Sequence, residues 1–169
     1  MPQTTFRSLS ITYHDEREYK TLIEEIFKKN VYYVEFDTDR PVIIDAGAHI
    51  GIATLYFRSL YPKAEILCIE PNPQNLTYLR QNLAANSLDG ITVFDKALVG
   101  SREKRTMIPL YTNNQWTVFS SLQTGGWTGE ESGKPVLVGA MKLSSLLTRP
   151  IDLLKLDIEG AETDVLLEA

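Results

Sequence analysis

The run from Val42 to Glu70 reads VIIDAGAHIGIATLYFRSLYPKAEILCIE. It begins with three β-branched residues, which favour a strand that is buried on both faces of a parallel sheet. Gly47 and Gly51 then bracket a turn in which the backbone can come close to another group. Apolar residues at helical spacing follow from Ile50 to Tyr61, and a second apolar run ends on the carboxylate of Glu70. The stretch therefore predicts a strand–turn–helix–strand unit of the kind that binds nucleotides.

The turn has the spacing D-x-G-x-x-x-G, with Asp45 where the common dinucleotide fingerprint has its first glycine. A carboxylate in this place would repel a pyrophosphate but would suit a ligand with a cationic amino group. S-adenosylmethionine carries such a group and a sulfonium, and it has no phosphate. Glu70 follows Gly51 by about 20 residues, where an acid can accept both ribose hydroxyls. The alternative is a generic α/β segment whose acids only end strands.

Composition places the chain among globular proteins of one domain. It has 169 residues, of which 43% are hydrophobic and 23% are charged. The net charge of −5 argues against a general nucleic-acid surface. No apolar run reaches the roughly 18 residues of a membrane helix, and the start MPQTTFRSLS lacks the apolar core of a signal peptide. We therefore expect a cytoplasmic protein. Cys68 lies in an apolar strand and no zinc spacing occurs, so we expect no metal.

Residues 1–40 are predicted to form a helix and a short strand before this unit. The helix spans Asp15–Asn30, with acids in its first turn and lysines in its last. It is interpreted either as a packing element or as a lid over the ligand mouth. The strand spans Val31–Phe36. Tyr32 and Tyr33 in it could reach a ligand, although aromatic residues in such positions are more often part of the core.

The elements after Glu70 continue the alternation at first. Asn72 as N-cap and Pro73 as first residue predict a helix to about Asn86, followed by a third strand over Ile91–Asp95. Residues 99–141 break the alternation and are interpreted as an antiparallel excursion. Its predicted strands are Arg105–Leu110 and Val136–Ala140, with the segment Thr117–Leu122 between them and a glycine-rich loop over residues 125–133. Trp116 and Trp127 are interpreted either as a substrate wall or as structural plugs.

The last elements are a short helix over Lys142–Leu147 and a strand over Ile151–Asp157. Four acids then end predicted strands, namely Asp45, Glu70, Asp95 and Asp157. Because the carboxyl ends of parallel strands meet at one edge of a sheet, we expect these acids to face one mouth. Asp95 would lie beside an adenine docked at Glu70, or would be only a solvated strand end.

At DAGAHIG, CIEPNP and LLKLDIEGAE the chain resembles the FkbM family of S-adenosylmethionine-dependent methyltransferases. That family has a D-x-G-x-N-x-G turn, an E-P second strand, an Ala-Leu after the third and a specific K-[IL]-D-[IV]-E-G-x-E motif after the fourth. The resemblance implies a Rossmann-like class I methyltransferase fold: an α/β three-layer sandwich with a mostly parallel sheet. Residues 41–169 would form this domain, with its β excursion at 99–141, and residues 1–40 would be the lid or packing segment.

The resemblance also implies the site residues. The expected cofactor-binding set is Asp45, Gly47, Ala48, His49, Gly51, Glu70, Pro71, Asn72, Asp95, Lys96, Ala97 and Asp157. Within it, Asp45, Gly47 and Gly51 would hold the methionine part, Glu70 the ribose, and Asp95 to Ala97 the adenine. Asp157 and Glu159 would stand where the acceptor enters. Candidate bases are, in order, Asp157, Glu159 and His49. We expect Lys155 to pair with Glu159.

The implied reaction is O-methylation of a hydroxyl on a small molecule, such as a natural-product or sugar intermediate, with no nucleic-acid or membrane partner. Two departures from the family pattern stand out. His49 replaces the usual Asn, and LLEA ends inside the helix after the fourth strand, where the class adds three more strands. An open edge on the fourth strand would favour a homo-oligomer. The alternatives are a non-catalytic fragment that holds the cofactor or a partner, and a nicotinamide oxidoreductase, which Asp45 disfavours.

Overall fold

The computed structural model describes residues 1–112 and 135–169. Its strands are β1 (Gln3–Phe6), β2 (Leu9–Thr12), β3 (Val42–Ala46), β4 (Glu65–Ile69), β5 (Ile91–Phe94), β6 (Lys96–Leu98), β7 (Met107–Leu110), β8 (Val136–Met141) and β9 (Leu153–Leu156). Its α-helices are α1 (Glu16–Leu22), α2 (Ile52–Leu60), α3 (Pro73–Ala85) and α4 (Glu162–Leu166), with a π-helical segment over Ile23–Lys28 and a 3₁₀ turn over Leu143–Leu146. Among the described residues, no helix is long and apolar enough to cross a membrane.

The central sheet has four parallel strands in the order β5-β4-β3-β9. The predicted parallel sheet is therefore present, and β3 lies inside it with Ile43, Ile44 and Ala46 fully buried. The sequence of Val42–Ala46 forms a strand because its β-branched residues pack on both faces of the sheet. This order brings the carboxyl ends of β3, β4 and β9 to one edge.

Helices cover both faces of this sheet. On one face the π-helical segment, α2 and α3 pack against Ile43, Ile66 and Cys68. On the other face the 3₁₀ turn and α4 pack against Ile44 and Ile69. The α/β sandwich predicted from the sequence is confirmed, and Cys68 is a buried core residue as expected. Burial raises the pKa of its thiol, which opposes reactivity.

The first 40 residues differ from their prediction in two respects. Residues 1–13 show no period in sequence but form the antiparallel hairpin β1-β2. The segment Val31–Phe36 was predicted as a strand, and this prediction is wrong, since the segment forms a turn and irregular chain. Asn30 has a φ of 54°, which ends the helix and redirects the backbone before the segment can reach a sheet edge. The helix over Asp15–Asn30 is present as α1 and the π-helical segment.

Asn82 of α3 fastens the N-terminal hairpin to the rest of the molecule. Its side-chain amide is fully buried and donates to the carbonyls of Thr12 (3.0 Å) and Ile50 (2.8 Å). Its Oδ1 accepts from the Thr12 N–H at 2.7 Å. Asn86, one turn later, bonds the N–H and carbonyl of Ser10 in the same manner. The hairpin, α3 and the turn after β3 are thus joined by two amide side chains.

The predicted excursion over 99–141 contributes β7 and β8 to a second sheet of three strands in the order β6-β8-β7, in which β6 precedes the excursion. The pair β7-β8 is antiparallel as predicted, whereas β6 and β8 are parallel, so the sheet is mixed. The predicted helix over Lys142–Leu147 is reduced to the 3₁₀ turn. Trp116, Trp127, the segment Thr117–Leu122 and the glycine-rich loop over 125–133 lie outside the described residues.

Candidate active site

A cavity opens to solvent at the carboxyl ends of β3, β4 and β9. Nine of the predicted site residues line it: Gly47, Ala48, His49, Glu70, Pro71, Lys96, Ala97, Asp157 and Glu159. Four do not: Asp45, Gly51, Asn72 and Asp95. The cavity is the place where Rossmann-like folds bind their ligands.

The glycine turn after β3 forms one wall of the cavity. The N–H groups of Gly47 and Ala48 both donate to the carbonyl of Ile69, at 2.9 and 3.0 Å. Gly47 has a φ of +77°, and a Cβ there would lie 2.9 Å from the carbonyl carbon of Asp157 and closer still to its oxygen. Only glycine therefore lets the turn pass the end of β9. The turn and the end of β9 are packed against each other as one structure.

Glu70 supplies a fixed carboxylate at the end of β4. The residue is 4% exposed. Its Oε2 accepts from the His49 N–H at 2.8 Å, and its Oε1 accepts from the Asn72 N–H at 2.9 Å and from Asn75 Nδ2 at 3.4 Å. Burial raises the pKa of Glu70, and the charge of His49 and these hydrogen bonds oppose that rise. The carboxylate is therefore oriented before any ligand arrives.

Asp45 does not line the cavity, and a direct contact of its carboxylate with a ligand stays a prediction. It is fully buried. Its Oδ2 accepts from the Thr54 hydroxyl at 2.7 Å, and its Oδ1 lies 3.2 Å from Lys155 Nζ. β3 and β9 are paired with Asp45 opposite Lys155, which places the two side chains together. Asp45 thus acts beneath the cavity, as the partner of a buried cation.

Lys155 was expected to pair with Glu159, and it pairs with Asp45 instead. Its ammonium also donates to the Gly47 carbonyl at 2.6 Å and lies 4.0 Å from Asp157 Oδ2. The Tyr32 ring lies 5.7 Å from the same nitrogen. Lys155 therefore connects the glycine turn to the end of β9 through these contacts.

Asp157 and Glu159 form the acidic rim of the cavity. Asp157 is exposed, and its Oδ2 accepts from the Tyr32 hydroxyl at 3.2 Å. Burial raises the pKa of Tyr32, and the negative Asp157 adds to the rise, so the phenol stays protonated and can donate. Partial burial and the charges of Asp157 and Glu162 raise the pKa of Glu159. Glu159 also has a φ of 57°, a conformation that side chains with a Cβ adopt at a cost and that is common at functional sites.

Three other predicted cofactor residues do not line the cavity, namely Gly51, Asn72 and Asp95. Gly51 is the N-cap of α2 with a φ of 91°. The Asn72 side chain accepts from the Gln74 N–H at 2.9 Å and caps α3. Asp95 is exposed, and its Oδ2 lies 4.0 Å from Arg80. The four acids thus do not share one mouth: Glu70 and Asp157 line it, Asp45 lies beneath it and Asp95 lies outside.

Residues of the N-terminal segment contribute to the cavity more than the sequence predicted. Leu22, Ile26 and Tyr32 line it. Glu18, which sequence reasoning passed over, is buried and its Oε1 lies 3.5 Å from His49 Nε2. A signal was present, because Glu18, Leu22 and Ile26 follow at intervals of four residues and so share one helix face. An acid on an apolar face is the pattern of a buried, partnered side chain.

Comparison with known proteins agrees with the architecture. A family model described as the methyltransferase FkbM domain matches residues 45–169. Methyltransferase sdnD of Sordaria araneosa is 31% identical over 176 residues, which cover 88% of this chain and 68% of that protein. The 2-O-methyltransferase NoeI of Sinorhizobium fredii is 26% identical over 141 residues, which cover 75% of this chain and 56% of that protein.

A crystal structure of a methyltransferase FkbM from Methylobacillus flagellatus KT superimposes with a TM-score of 0.51 at 20% identity. The match covers 82% of this chain and 31% of that one, and it supports the fold. The chain spans about two thirds or less of the length of the curated relatives it matches. The family match over residues 45–169, together with the parallel sheet and the glycine turn, establishes that the chain belongs to the FkbM methyltransferase family.

Proposed function

We propose that this chain binds S-adenosylmethionine in the cavity and transfers its methyl group to a hydroxyl of a small molecule. The observation that carries the proposal is the buried Glu70 carboxylate, which lines the cavity beside the glycine turn and is oriented by three hydrogen-bond donors. Membership of the methyltransferase family supports the reaction class.

The residues of the cavity fit the parts of this cofactor. Glu70 has acceptor capacity for ribose hydroxyls beyond its present bonds, since a carboxylate offers about four lone-pair sites. Pro71, Ala97 and Leu98 give an apolar wall on the side of β6, which suits an adenine. The turn at Gly47 to His49 also lines the cavity, beside Glu70, and suits the methionine part. Lys96 also lines the cavity and belongs to this proposed set.

The acidic rim is where the acceptor would be deprotonated. Bound S-adenosylmethionine supplies a methyl group on a positively charged sulfur. Asp157 is the first candidate to take the hydroxyl proton, because its carboxylate is exposed to the cavity and Tyr32 holds one of its oxygens. Glu159 and His49 are the second and third candidates. Holding the two reactants in line is worth roughly 7 to 11 kcal/mol of the barrier, so alignment by this rim would supply much of the catalysis.

The proposal of a hydroxyl acceptor draws on a relative. NoeI, by its name, is a 2-O-methyltransferase. The net charge of −5 agrees with a small acceptor rather than a nucleic acid. Hydroxyl groups need a base at the rim, and the two carboxylates there provide one.

The test is titration of the purified chain with S-adenosylhomocysteine by calorimetry. We expect micromolar binding that is lost in Glu70→Ala. Glu65→Ala is the matched control, because Glu65 begins the same strand, is partly exposed and pairs with Arg149 far from the cavity. Absence of binding by folded wild-type protein would refute the proposal. Binding without transfer of labelled methyl groups to any of a panel of hydroxyl compounds would favour the non-catalytic alternative.

A further inference from the structure

Glu18 is a buried acid on a helix that precedes the matched family region. It is 2% exposed and lies in the first turn of α1. The helix begins there because Asp15 accepts from the Arg17 and Glu18 N–H groups, at 2.8 and 2.9 Å. The cap sets the residue at which α1 begins, and Glu18 lies on the same helix face as Leu22 and Ile26. An ionisable group in such a place needs a partner to compensate for lost hydration.

The partner lies in the glycine turn. His49 Nε2 is 3.5 Å from Glu18 Oε1, with side-chain exposures of 12% and 3% respectively. His49 itself has a φ of 53°. This left-handed conformation costs free energy for a residue with a Cβ, and contacts with the surroundings offset that cost. The contact with Glu18 is one of those constraints, and it acts on the end of the side chain.

The backbone of His49 transmits this constraint to the ribose acid. In the left-handed conformation the His49 N–H points at Glu70 and donates to its Oε2 at 2.8 Å. The ring and the N–H of His49 are joined through one Cα, so a contact that holds the ring also limits the backbone angles at which the N–H is held. Glu18, His49 and Glu70 thus form a connected series from α1 to the floor of the cavity.

We infer that Glu18 is a positioning residue of the cofactor site, which holds His49 so that its backbone N–H orients Glu70 for the ribose. The inference rests on the proposed function, because it assigns Glu70 to the ribose. It adds a residue outside the matched region of 45–169 to the machinery of the site.

A double-mutant cycle with S-adenosylhomocysteine tests the inference by calorimetry. We expect Glu18→Gln to weaken binding by roughly tenfold, the size of losing one hydrogen bond to a charged group. His49→Asn keeps a residue that tolerates the left-handed conformation. In that background Glu18→Gln should change affinity by less than about twofold, since its partner is gone. Glu16→Gln is the control, because Glu16 lies on α1 but is exposed and pairs with Lys20.

Two results would overturn the inference: no effect of Glu18→Gln, or an equal loss of affinity in both backgrounds. Absence of binding by folded wild-type protein would instead refute the proposed function. Glu18→Asp serves if Glu18→Gln does not fold, because it keeps the charge and shortens the reach. Nuclear magnetic resonance then reports on the ring, since the chain has only two histidines. The His49 ring signals should shift in Glu18→Asp and stay unchanged in Glu16→Gln, and unchanged signals in both would refute the contact.

Discussion

Replacement of Gly47 by alanine should destabilise the protein and disrupt the cavity, because the added Cβ would overlap the backbone carbonyl of Asp157. The new Cβ would lie 2.9 Å from the carbonyl carbon of Asp157, and Gly47 has a φ of +77°. The left-handed conformation costs a residue with a Cβ roughly 1–2 kcal/mol. Overpacking against backbone adds roughly 1–3 kcal/mol, because a backbone carbonyl cannot rotate away as a side chain does. The expected total is about 2–5 kcal/mol of unfolding free energy, a large part of the stability of a typical domain.

Gly90→Ala separates the two contributions. Gly90 has a nearly equal φ of +70°, but a Cβ there would meet only the end of the Arg58 side chain at 3.5 Å and the Ala64 carbonyl at 3.8 Å. Its cost should therefore be the conformational part alone, about 1–2 kcal/mol. Urea unfolding gives both free energies, and calorimetry with S-adenosylhomocysteine should show binding lost only in Gly47→Ala. Equal unfolding free energies for the two variants, with binding kept in both, would refute the close packing of the turn on β9.

Three further changes probe the network below and around the rim. Lys155→Met leaves the fully buried Asp45 without its cation, and unfolding in urea should show a loss of about 3–5 kcal/mol. Tyr32→Phe keeps the ring but removes the hydrogen bond to Asp157. Affinity for S-adenosylhomocysteine should stay the same, while kcat with a hydroxyl acceptor should fall by roughly tenfold, a smaller decrease than removal of the base itself would cause. Glu159→Gln removes a carboxyl whose pKa is raised in the folded state, so the charged form of this carboxyl destabilises the fold near neutral pH. The variant should therefore have a higher free energy of unfolding near neutral pH. This gain should disappear as the pH falls to 4.5, the ordinary pKa of a glutamate.

Each of these has a control and a contrary result. Lys63→Met is the control for Lys155→Met, because it breaks an exposed ion pair with Asp39 and should lower the free energy of unfolding by less than about 1 kcal/mol. An equally small decrease for Lys155→Met would contradict the buried ion pair with Asp45. Tyr33→Phe removes an exposed hydroxyl that bonds Glu35 and should leave kcat unchanged. For Glu159→Gln the urea midpoints are compared at about pH 7.5 and pH 4.5, and a gain that grows at the lower pH would reverse the sign of the argument.

The elements that could be predicted from sequence are those whose signals are local. β3 and β4 are continuous apolar runs, and α3 starts at an asparagine cap followed by proline. Such signals depend on neighbours within a few residues along the chain. Glu70, at the end of one such strand, could be placed in the cavity for the same reason.

The features that were missed depend on partners distant in the chain. Val31–Phe36 has the composition of a strand, but a strand also needs a sheet edge to pair with, and Asn30 turns the chain away. Asp45 was interpreted as a ligand because it ends a strand. Its actual partners, Thr54 and Lys155, are set by the packing of α2 and the register of β9. The spacing of residues along the sequence does not show that either partner lies next to Asp45.

Asn82 has a consequence for how the molecule can be divided. The family match starts at residue 45, yet the fully buried side chain of Asn82 makes two of its three hydrogen bonds with Thr12. A recombinant chain cut at residue 45 would lose most of β3 and both of these hydrogen bonds, and it would expose apolar residues of the core cluster that contains Ile11. The hairpin is thus part of the same hydrophobic core as the region that the family model matches.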